Sequence, residues 1–198
     1  MTRKFFEYGG WIAGAVLIVF GVISIGMGIN GRNEVRDAIT EQKIVATDDA
    51  AEITNGKLQP GEEITTGAEA KQFANIMEYH ALESSGGIRY AEMGRFVSAA
   101  DPESTAGTSD EAAALKDEGG NPVPNRARDT WVTQTALSTA LNVSYMAEQL
   151  ALFGIVVGVA LLLTGIGFLV LAIGGALQHT TASLPAFLRR RTATAATS

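Results

Sequence analysis

The chain has 198 residues, 46% of them hydrophobic, a formal charge of −6 and no cysteine. The negative balance argues against nucleic-acid binding, which requires concentrated positive charge. Without cysteine there are no disulfides, thiolate nucleophiles, iron–sulfur clusters or cysteine zinc sites.

Residues 1 to 10 form a short tail carrying Arg3 and Lys4, and Trp11 to Ile29 follow as 19 residues without a charge. A helix of that length reaches about 28 Å, close to the roughly 30 Å of a bilayer core. The run is longer than a signal-peptide core and no small-x-small cleavage site follows it, so a retained membrane anchor is expected. Gly14, Gly21 and Gly28 recur every seven residues, and Gly10 adds a Gly-x-x-x-Gly with Gly14.

Past residue 29 the helix should continue into water as an amphipathic stalk, with Val35, Ile39 and Ile44 near one side. Residues 46 to 67 mix Asn-Gly, Pro-Gly and acidic residues and read as loop, with a short strand expected at Ala51 to Thr54. A helix is then expected from Ala68 to about Ser84. Phe73, Ile76, Met77 and His80 fall at i, i+3, i+4 and i+7 and make one apolar face. Gly86 and Gly87 supply the left-handed backbone that ends helices. Residues 98 to 126 are small, acidic and rich in Pro and Gly, so a mobile loop with one helical turn is the expectation.

From Ala127 the chain turns helical again and, with no Gly or Pro before Phe153, should run as one rod into a second span. That span, Ala151 to Leu177, is 27 residues without a charge. Ala151, Gly158, Gly165 and Ala172 recur every seven residues, and Gly154 completes a Gly-x-x-x-Gly with Gly158. Seven residues are nearly two helical turns, so each series makes a narrow stripe where backbones can approach closely in lipid. The stripes can face one another in an antiparallel hairpin, serve an external partner helix, or reflect the general frequency of glycine in membrane helices.

Residues 178 to 198 form a basic tail. Its Leu184, Phe187 and Leu188 stand beside Arg189, Arg190 and Arg191, the pattern of an interfacial anchor on anionic lipids. Residues 30 to 150 hold ten Lys/Arg against twenty Asp/Glu. Basic residues beside the spans favour the cytoplasmic side, which places both termini in the cytoplasm and residues 30–150 outside.

Candidate chemistry is sparse. His80 and Glu83 lie one turn apart and could share a ligand, but a metal usually takes three or four groups, and His179 lies beyond the second span. Packing of His80 on the apolar helix face is the expected role. Asp48-Asp49 and Glu62-Glu63 lack the alternating ligands of a calcium loop. Neither span holds an ionisable residue, which weakens a transporter or pump reading. No metal or other cofactor is expected.

The stretch HALESSGGIRYAEM, at His80 to Met93, resembles a group of small actinobacterial membrane proteins with two spans and one extracytoplasmic loop. The shared pattern is a Gly-rich first span, a short run matched by Ala74 to Met77, then HALExSGG-x-x-YAE, matched by His80 to Gly87 and Tyr90 to Glu92. The loop from Ser98 to Asn125 is longer here than in that pattern. Members often carry the label of aromatic ring-opening dioxygenases, enzymes that hold iron through two histidines and a carboxylate. With one histidine between the spans, the resemblance implies a location and topology rather than an activity.

The expected fold is an all-α membrane protein: an antiparallel two-helix hairpin whose helices extend into a small, mostly helical outer domain. Its core is expected to bury Phe73, Ile76, Met77 and His80 against Val35, Ile39, Leu137 and Leu141. The expected function is a non-catalytic accessory subunit of a larger membrane complex, for example a respiratory one, with other membrane proteins and the bilayer as partners. The alternatives are a self-assembling membrane scaffold or pore, and an enzyme or metal-binding sensor centred on His80 and Glu83.

Overall fold

A computed structural model describes residues 2 to 173, with side chains from Tyr8 onward. Its regular structure is helical: α1 (Thr2–Thr40), α2 (Ala50–Ile53), α3 (Gly67–Ser84), a single 3-10 turn (Tyr90–Glu92) and α4 (Arg126–Ile173). Among the described residues there is no strand, only isolated β-bridges. Two stretches, Tyr8–Thr40 and Arg126–Ile173, are long and apolar enough to cross a membrane, each containing an 18-residue segment of high mean hydropathy, 2.5 and 2.7 respectively. The chain divides into two compact units, one joining α1 up to Gly26 with α4 from Ile155 onward, the other spanning Met27–Gly154.

In the first unit the small residues set the helix separation. A Cβ on Gly14 would lie 2.9 Å from the Gly165 carbonyl oxygen, and one on Gly21 2.8 Å from that of Gly158. From the other side, a Cβ on Gly158 would meet Ile25 at 2.7 Å, and one on Gly165 would meet Ile18 at 2.8 Å. Only glycine permits backbones this close, and the gain is van der Waals contact along both helices. The contacts run in opposite directions along the two sequences. Ala172 and Gly10 are buried here. In the second unit Gly28 is buried and Gly154 half-buried.

The second unit builds its core from the end of α1, from α2 and α3, and from α4. Ile39, Leu58, Ile64, Ala70, Ile76 and Leu141 are buried together, with Val35, Phe73 and Met77 packed against them. Two of these, Leu58 and Ile64, are wholly enclosed and come from the stretch between α2 and α3. Each such side chain contributes about 1.5–3 kcal/mol by leaving water.

Four expectations are corrected by the structure, the last that of a helical turn within residues 98 to 126. Residues Ala50–Ile53 are helical, where a strand was expected at 51 to 54. The Asn-Gly pair behind them explains it: Asn55 and Gly56 take positive φ and the Gly56 N–H donates to the Ala51 carbonyl at 2.7 Å, closing a helical turn. Leu137 is 51% exposed rather than part of the core. His80 is the third, described below.

α3 opens on a capping box. The Thr66 hydroxyl accepts from the Glu69 N–H at 3.3 Å, and the Glu69 carboxylate accepts from the Thr66 N–H at 3.0 Å. It ends where expected, with Gly86 and Gly87 at φ of +67° and +82° and the Gly87 N–H donating to the Leu82 carbonyl.

Residues 98 to 126 contain no helical turn before α4 begins, and much of their backbone is paired. Phe96 and Thr108 exchange two hydrogen bonds. The Val97 N–H donates to Val123, Leu115 to Val97, and Val123 to Leu115, each at 2.9 Å. The signal that composition hid is pairing by main chain, which needs few large apolar side chains.

Candidate functional site

The histidine that first draws attention is not in the core. His80 Nε2 lies 2.6 Å from Asp49 Oδ2, and the two side chains are 39% and 41% exposed. With Asp49 ionised, Nε2 carries the proton and donates. Asp49 also accepts from the Thr47 hydroxyl at 2.6 Å. That hydroxyl first, and His80 second, hold the Asp49 carboxyl below its ordinary value. The pair ties α3 to the approach to α2. Among the described residues no group of three His, Asp or Glu side chains is placed to hold a metal ion.

Replacing His80 with Ala is expected to leave the thermal midpoint within about 2 °C, because a half-exposed pair is well solvated. Hydrogen exchange at Ala46 and Ala50 should speed up. A fall of many degrees would show that the imidazole holds far more than this pair.

The rest of HALESSGGIRYAEM builds a joint onto α4. The Ser85 hydroxyl donates its one proton to the Ile88 carbonyl at 2.8 Å, with the Leu82 carbonyl 3.1 Å away, and its own carbonyl accepts from Thr105 Oγ1 at 2.7 Å. Trp131 is buried against Ala81 and Met93, and its Nε1 donates to the Ile88 carbonyl at 3.1 Å. Arg128 donates to the Met93 carbonyl and the Tyr90 hydroxyl, both at 2.6 Å, and its guanidinium lies 4.2 Å from the Tyr90 ring centre. Asn125, one residue before α4, donates to the Gly94 and Thr105 carbonyls and accepts from the Ala127 N–H. Every one of these contacts positions a chain segment.

A second joint went unseen in the sequence. Glu148 of α4 has its side chain 7% exposed and binds Arg32 Nε at 3.0 Å and Arg36 Nε at 2.6 Å, both from α1. Its other oxygen accepts from the Gly67 N–H at 2.7 Å, at the first residue of α3. Burial pushes this carboxyl up, but Arg36, Arg32 and the Gly67 amide outweigh burial and hold it below its ordinary value. A Cβ on Gly67 would stand 2.7 Å from the Tyr145 Cα, so glycine is what lets the start of α3 reach α4. The sequence signal was a lone Glu in a stretch of α4 without other charges, with two Arg four apart on the stalk.

Beside these joints lie two open grooves that share Met77 and Leu137. One, about 720 Å³, has His80 and Ser84 of α3 and Arg126, Asp129 and Thr133 of α4 on its rim. The other, about 620 Å³, is walled by Ile39, Ile44, Val45, Phe73 and Leu141. Phe73 and Met77 thus pack on the core and line the grooves, and Ile76 lies in the core. The expected membrane-surface anchor at Phe187, Arg189, Arg190 and Arg191 lies outside the described residues.

No protein-family model, no curated protein and no solved structure matches this chain.

Proposed function

We propose that the chain is a non-catalytic accessory or structural subunit of a larger cytoplasmic-membrane assembly in an actinobacterium, for example a respiratory complex. In this reading residues 11–29 and 151–177 form an antiparallel transmembrane hairpin, both termini are cytoplasmic and residues 30–150 lie outside. The opposed contacts of Gly14 with Gly165 and Gly21 with Gly158 support the hairpin. Arg3 and Lys4 before the first span and Arg189 to Arg191 after the second support the orientation.

The observation that carries the functional reading is the pair of adjoining grooves, with Met77 and Leu137 common to both. Open apolar surface of this kind on an acidic domain suits docking to another protein. Of the polar side chains on the first groove, His80, Ser84, Thr130 and Gln134 hold local contacts within the fold. The bilayer and other membrane proteins are the partners, with anionic lipids at the C-terminal arginines.

Affinity purification in mild detergent should recover further membrane proteins in fixed ratio. Leu137→Glu should release them while leaving the chain folded. Recovery of this chain with no other protein at native expression would sink the reading. For the topology, a membrane-impermeant maleimide should label Ser109→Cys in intact cells and spare Ser198→Cys; the reverse pattern would invert it.

A further inference from the structure

α4 carries two lengthwise seams. The inward one, through Trp131, Gln134, Leu141 and Glu148, is buried. The other has no partner among the described residues. Counting in heptads, its a positions are Ala136, Val143 and Leu150, and its d positions are Val132, Thr139, Met146 and Phe153. The five large apolar side chains among them are 54–70% exposed. An apolar 3.5-residue repeat held over three heptads is the pattern of a helix that packs on another helix.

We infer that this face of α4, from Val132 to Phe153, binds the same face of a second copy of the chain, forming a parallel two-fold dimer. Three observations favour that occupant. First, lipid does not cover the seam from Val132 to Met146. A Cβ on Gly31 of α1 would lie 3.9 Å from that of Ala151, and Arg36 binds Glu148. That register sets the exposed carboxylates Asp37 and Glu41 of α1 level with Met146 and Val143, and exposed carboxylates at that level require water.

Second, the seam lies in a stretch free of like charge. Thr130 to Ala147 hold no charged residue, within a segment having twenty Asp/Glu against ten Lys/Arg. Two acidic copies can meet there without the repulsion that other faces would impose. The flanking e and g positions, such as Thr133, Ala140, Asn142 and Gln149, are also uncharged, so they encode no oppositely charged foreign helix. Third, copies inserted in one membrane with one orientation present α4 in parallel, and identical seams then match about a two-fold axis.

The inference rests on the proposed membrane insertion but not on the accessory-subunit role, and its test is separate. The chain has no cysteine, so Val143→Cys, Met146→Cys and Leu150→Cys each introduce one thiol at an exposed position. Leu137→Cys, exposed on the groove face, is the control. Mild oxidation of native membranes holding the full chain should drive most of the Met146→Cys or Leu150→Cys protein to a dimer-mass disulfide band. Leu137→Cys should remain monomeric. A folded, membrane-inserted protein that yields no dimer at all three seam positions would overturn the inference. So would equal cross-linking at Leu137, which reads as random collision, or a band joining the seam to a different protein. The purification above can fail with the cross-links intact, and the reverse, so the two ideas fall separately.

Discussion

Glu148→Ala is expected to destabilise the Met27–Gly154 unit by about 2–3 kcal/mol, a fall of roughly 8–10 °C in its thermal midpoint. The carboxylate is buried and receives two guanidinium bonds and a helix-terminal amide. Its removal leaves the Gly67 N–H without its acceptor, which alone costs about 1–3 kcal/mol, and sets Arg32 near Arg36 with no counter-charge. The two arginine side chains are 40% and 36% exposed and can rehydrate, so the loss stays below that of a fully enclosed pair. Arg32→Ala should cost less, because Arg36 keeps the shorter bond.

The same carboxylate gives the unit an acid dependence of known sign. Its folded pKa lies below its unfolded one, so its contribution is fully present above the unfolded value. It is lost as the pH falls through the folded value. Thermal melts across the acid range should show wild type losing stability there and Glu148→Gln losing less. Parallel profiles for the two proteins would show that the bonds to Arg32 and Arg36 contribute nothing to the dependence.

The second large effect is expected at Gly158. A leucine there places its Cβ 2.7 Å from Ile25 and 2.8 Å from the Gly21 carbonyl, and neither the helix backbone nor a β-branched neighbour can yield. α1 and α4 must then separate along the contact, at about 3 kcal/mol or more for strain plus lost packing. Unfolding in micelles measures it. Gly26 and Gly167 are the controls, since a Cβ on either meets nothing within 4 Å. A Gly158→Leu protein as stable as Gly26→Leu would remove the close contact as a determinant of the pair.

What could be read in advance was whatever composition or period encodes locally. The two long apolar helices follow from charge-free runs, and the end of α3 from Gly86-Gly87. α2 was missed because Ile53 and Thr54 carry strand preference, whereas the Asn55-Gly56 turn behind them decides the backbone. His80 was misplaced for a similar reason. Spacing put it on the apolar face with Phe73 and Ile76, but that face continues through Ala81 and the imidazole reaches Asp49, 31 residues away. The Glu148 joint was the least legible, since its partners lie 81, 112 and 116 residues off and no local pattern connects them. The pairing between residues 94 and 125 uses main-chain groups, to which a reading of side chains is blind.

Those separations also fix an order of events. Arg32, Arg36 and the amide of Gly67 leave the ribosome long before residue 148, and until it arrives the start of α3 has no anion to hold it to the stalk. Domains usually begin folding during synthesis, yet here the last helix supplies the closing group. The segment from Met27 to Asn125 is therefore expected to lack this closure until α4 is made, and a chain that stops short of α4 never gains it.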